Sequence, residues 1–120
     1  MSDTLVSNLV TDLKTALKGV DDPAEAIRRA APLVEKMAED TSWVKPGYYK
    51  SDEEQGFGIN ILNEEPDNTL LVEVICWAPG RGVAPHDHQT WGVVVGIDGT
   101  EVNVDWRRKD DGSTPGFADL

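Results

Sequence analysis

The residues of this chain best equipped for chemistry are His86 and His88, which flank Asp87 and are its only histidines. On an extended backbone, side chains at i and i+2 leave the same face. Both imidazoles can then reach one point in space, and imidazole is a good ligand for iron, zinc, copper or nickel. Two solvent-exposed histidines at a loop end give the same pattern, so the spacing alone leaves both readings open. Asp87 is expected to point away from the common face, either orienting the loop or sitting solvated.

Neighbouring residues are candidates for a pocket around that point. Arg81 is the one cation in the stretch before the histidines. It either attracts a substrate carboxylate or is an ordinary loop arginine facing solvent. Trp91 either walls the pocket or packs in the core. Gly92 leaves room beside a metal or marks a bend in the chain. Trp77 and Trp106 read as core, and Cys76 as a small buried hydrophobe.

Residues 1–42 must supply a helical lead-in, and residues 43–120 the strands that hold these groups. Leu5, Leu9, Leu13 and Leu17 recur every four residues and draw one apolar stripe along a helix, with Gly19 as its stop. A second helix starts with Asp22 as cap, Pro23 at the first helical position and Glu25 completing a capping box. Ile27, Ala31, Val34 and Ala38 mark its apolar face, and Pro32 should kink or divide it. After Trp43 the texture changes. Residues 57–62 read as a strand, 63–68 as a turn, 70–77 as a stronger strand and 78–85 as a Gly/Pro loop. Residues 91–97 and 100–106 read as two further strands, joined at Asp98-Gly99 by a type I′ hairpin turn. Two or three helices followed by about four antiparallel strands make the fold class α+β, one domain overall.

Composition narrows the partners. Twenty-two acidic against 11 basic side chains give a net charge of −11, which argues against nucleic acid and against anionic membrane surfaces. No apolar run reaches the length of a membrane span, and the first residues show no secretory signal. The single cysteine excludes an internal disulfide and suits a reducing cytoplasm.

The segment Gly80-x5-His86-x-His88-x3-Gly92-x6-Gly99 resembles the first motif of the cupins, G-x5-H-x-H-x3,4-E-x6-G. Both glycines and both histidines match; Gly92 stands where the motif has its glutamate. That departure is similar to the cysteine dioxygenase-like branch, the thiol dioxygenases, whose iron is held by three histidines. The string from Cys76-Trp77 through the Gly-rich loop to His86-Asp87-His88 resembles the same branch. The resemblance implies a double-stranded β-helix barrel, non-haem Fe(II) (or another divalent metal), and His86 and His88 as metal ligands. It implies O₂ and a small thiol as substrates, and a sulfinic acid as product.

The family's third histidine lies on a later strand, and no histidine follows His88. The family's carboxylate-binding arginine falls about where this chain has Asn60, so 3-mercaptopropionate is as good an expectation as cysteine. A cupin barrel needs about eight strands, and about half are legible. The chain is therefore expected to be an N-terminal portion of a longer protein, or, if complete, a homodimer that covers its open sheet. The alternative function is a non-catalytic, metal-binding cupin-like module that self-associates.

Overall fold

A computed structural model describes residues 2–86 and 88–120; the expectation for Asp87 lies outside them. Helix α1 spans Ser2–Leu17 and helix α2 spans Pro23–Glu35. Strands β1 (Phe57–Glu64) and β2 (Leu71–Trp77) form a two-stranded antiparallel sheet. Helices and sheet share one core, and the fold is α+β.

The leucine stripe does place α1 on the core. Leu9 and Leu13 are buried, with Leu5 and Leu17 packed beside them. Gly19 ends the helix at φ +75°, a conformation that costs glycine least, while Val20 N–H returns to the Leu17 carbonyl at 3.1 Å.

Helix α2 departs from expectation in three ways. Asp22 holds the cap position with extended backbone, but its carboxylate makes no capping hydrogen bond. Glu25 does not reach back either, because Arg28 and Arg29 each hold it at 2.8 Å, and charge-assisted pairs at i+3 and i+4 outcompete a backbone N–H. Pro32 does not divide the helix, which runs to Glu35 and tightens into a 3-10 turn at Lys36–Ala38. The buried face is Ala26, Ala30 and Met37, not Ile27, Ala31 and Ala38; Val34 still packs against the core. The helix is thus turned by one residue, about 100°. Small alanines facing α1 let the two axes approach, and Ile27 is left exposed.

Trp43 closes the core between helices and sheet. It is 4% exposed, and its indole N–H donates to the Met37 carbonyl at 2.9 Å. Its partner on the sheet side is Tyr48, in a tilted ring contact.

The strands pair from Phe57↔Trp77 to Glu64↔Leu71, with an irregularity between Ile61 and Asn63 that leaves Leu62 without an opposite residue. Leu62, Val72 and Val74 face the core, while Ile59, Ile61, Leu71 and Ile75 on the other face are exposed. β1 runs two residues further than expected, and the turn shifts to residues 65–70, where Asn68 adopts φ +62°. Lys14 ties α1 to this turn through Glu65 at 3.3 Å.

Two expected strands do not form. Among the described residues neither 91–97 nor 100–106 joins the sheet. Residues 91–97 keep the alternation of a strand, with Trp91, Val93 and Ile97 packed on the core and Gly92, Val94 and Gly96 exposed. Gly99 takes φ +78°, but Asp98 has no positive φ, so the turn is not type I′ and does not bring the second segment back in register. Val102, Val104 and Trp106 are consequently exposed, against the reading of Trp106 as core. Among the described residues no helix is long and apolar enough to cross a membrane.

Candidate metal centre

The loop that carries the histidines leaves β2 at Trp77 and is pinned at its start. Ala78 N–H donates to the Gly56 carbonyl at 2.9 Å, and Arg81 N–H closes a turn onto Ala78 at 3.0 Å, helped by Gly80 at φ +73°. Opposite it, Asp52 accepts the backbone N–H groups of Glu54 and Gln55 and so turns the chain before β1. That turn presents two carbonyls to Arg81, whose guanidinium donates to Glu53 at 3.0 Å and Glu54 at 2.9 Å. Gly56, at φ +81°, lies against the arginine; a Cβ there would come within 2.8 Å of Nε. The Arg81 fork is therefore engaged on backbone, which accounts for its position without a substrate.

Beyond Arg81 the loop is exposed as far as His86. The His86 Nδ1 lies 2.8 Å from the Ala84 carbonyl. A carbonyl only accepts, so Nδ1 carries a proton, and in the neutral ring the His86 Nε2 then keeps its lone pair. This Nε2 faces the Nε2 of His88 at 3.3 Å, with the ring centroids 5.1 Å apart and the planes tilted by 60°. The two imidazoles do converge, although neither His86 nor His88 lies in a strand.

The separation suits a shared cation. Two metal–nitrogen bonds of about 2.0–2.1 Å hold their nitrogens about 2.9–3.4 Å apart, according to whether the angle is right or tetrahedral. The Ala84 contact is the kind of partner a ligating histidine takes on its other nitrogen, fixing tautomer and ring direction. Both rings are exposed, so a cation and further ligands can approach from solvent. Among the described residues no group of three His, Cys, Asp or Glu is placed to hold a metal within one chain. The residues present fit two positions of a metal's coordination.

No family model, curated protein or solved structure matches this chain. Function has to be read from the side chains themselves.

The remaining candidates are dispersed. Trp91 packs against the core, three residues beyond His88. Gly92 is open; a Cβ there would touch nothing. Asn60 sits half-buried in β1, opposite Val74. Two cavities, of about 310 and 130 Å³, lie elsewhere: one beside Glu64 and Leu71, the other between α1 and α2 at Leu9 and Met37.

Two features escaped the sequence reading. One is the Ala84 carbonyl, which orients His86 but, as a backbone atom, has no residue-type signature. The other is Tyr49, whose O–H donates to Asp98 at 3.1 Å and so fastens the end of residues 91–97 to the chain before β1. The carboxylate accepting that bond, with desolvation and its own negative charge, holds the phenol above its usual pKa. No local pattern links positions 49 residues apart.

Proposed function

We propose that this chain is a metal-binding, cupin-like protein of the thiol dioxygenase type, adding O₂ to the sulfur of a small thiol. The observation that carries the reading is the convergence of the His86 and His88 Nε2 atoms at 3.3 Å, with His86 held in the ligating tautomer by Ala84. The Gly80-to-Gly99 spacing and the glycine at position 92 direct it toward iron and thiols. A (partial) double-stranded β-helix is the finer fold this reading carries, and a reducing cytoplasm its natural setting.

His86 and His88 would hold the metal through Nε2. A bound Fe(II) supplies the electron transfer that O₂ chemistry requires and favours the thiolate form of the substrate. Both oxygen atoms end on sulfur, RSH + O₂ → RSO₂H, so sulfur is oxidised by four electrons and O₂ is the oxidant. The Ala84 carbonyl keeps the His86 proton on Nδ1, away from the metal side. Arg81 anchors the loop through the Glu53 and Glu54 carbonyls.

A test is to load Fe(II) anaerobically, measure iron per chain, then follow O₂ uptake with cysteine and with 3-mercaptopropionate. One O₂ consumed per thiol, with a sulfinic acid as product, is expected. Bound iron without thiol-dependent O₂ uptake would sink the dioxygenase reading and leave the second one, a non-catalytic metal-binding module. That second reading is favoured by the pair being two ligands with no third from the same chain among the described residues.

A further inference from the structure

We infer that the missing ligands come from a second copy of this chain, so that the His86 and His88 pairs of two chains enclose one divalent cation. The inference rests on the reading of the pair as a metal site and states how that site is completed.

Three observations converge on it. The pair is half a coordination set: two Nε2 atoms at 3.3 Å, in a spacing suited to adjacent positions, with no third His, Cys, Asp or Glu grouped with them among the described residues. Four imidazoles fill a tetrahedral set; on a six-coordinate metal they leave two positions, the number a substrate and a co-substrate need. Second, both rings are exposed and His86 is already aimed by Ala84, so among the described residues the pair is open to another chain.

Third, the chain has surface to cover. Its accessible area is 9273 Å², whereas a folded monomer of 13.1 kDa has about 6,400 Å². Its radius of gyration is 16.4 Å, against about 14 Å for a compact domain of this length. The excess, about 2,900 Å², is well above the roughly 800 Å² that each partner buries in a stable complex. Much of what is apolar in it follows the histidines directly: Val94, Val102, Val104 and Trp106 are all more than half exposed. A second copy docked through this stretch covers it and brings the two histidine pairs toward each other. The charge balance makes the cation the switch: two chains of −11 repel, and a divalent ion at the contact both bridges and offsets them.

The test titrates the whole chain with Zn(II), and separately with Fe(II) without oxygen, while mass is followed by sedimentation and bound metal by elemental analysis. The expected result is one metal per two chains and a doubling of mass, reversed by EDTA. His88→Ala should stay monomeric at the same metal concentration, with at least a tenfold loss of metal affinity and an unchanged circular dichroism spectrum. One metal per chain at monomer mass overturns the shared site but leaves the metal reading standing. Absence of metal binding overturns both. A doubled mass that is indifferent to metal and EDTA overturns the bridge.

Discussion

Trp43 and Trp106 are the same side chain in opposite circumstances. Trp43 is 4% exposed, clasped between α2 and the sheet, with its N–H satisfied by a backbone carbonyl. Trp106 is 56% exposed, on a segment that pairs with no strand among the described residues. Around the first, short-range and long-range preferences agree: a helix stripe, a glycine stop and a two-stranded ladder all bury the same surface. Around the second, the alternating pattern is as clear but no strand among the described residues pairs with it. Amphipathic patterning names the face that wants cover; it does not supply the cover. The histidine pair sits between these two regions in the chain, exposed on the loop after β2.

The largest effect that sharpens this contrast is expected from Trp43→Ala, a loss of about 3–5 kcal/mol. Trp106→Ala should change the stability of the isolated chain by under about 0.5 kcal/mol. Chemical denaturation of both variants checks the pair, and a large loss in Trp106→Ala would mean that this segment is packed in solution. Next comes metal: at 100-fold excess over its dissociation constant, a bound cation should stabilise the fold by about 2.7 kcal/mol. His86→Ala should abolish that gain in a thermal melt while leaving the metal-free melt unchanged.

Gly56→Ala is expected to cost about 1–3 kcal/mol, since φ +81° and the Arg81 guanidinium both resist a methyl group. Equilibrium unfolding reads this, and a neutral result would dissolve the anchor at the base of the histidine loop.

The smallest effect is at alkaline pH. The Tyr49 phenol is held above its usual pKa in the folded chain, so its contribution is complete below about pH 10 and fades as pH rises through the folded value. Melting curves of the native chain and Tyr49→Phe should therefore converge as pH climbs past that range. Curves that stay parallel would show that the Tyr49–Asp98 bond carries no weight.

How far the sequence could be read follows the same line. The leucine stripe, Gly19 and the strand expected at 70–77 are local signals, and each element formed within a residue of where its side chains pointed. The face of α2 was misread because its buried positions are alanines, which carry little hydrophobic contrast against Ile27. The third and fourth strands were misread because strand pairing is decided by a partner and a turn. Asp98-Gly99 advertises a tight hairpin, yet Asp98 does not take the backbone conformation one requires. At the site, an i, i+2 spacing sufficed to bring two imidazoles together. The use of Arg81 was hidden, because the backbone carbonyls it grips belong to residues 27 and 28 positions earlier.

Arg81 also sets a leash. From its clamped guanidinium to His86 is five residues of chain, a reach of at most about 18 Å. Released back to Ala78, the same tether would be eight residues and at most about 29 Å long. The polymer entropy of that change is only about 0.4 kcal/mol, but the volume the imidazoles could sweep grows roughly fourfold, as the cube of the reach. The clamp thus confines the space in which the two imidazoles can move.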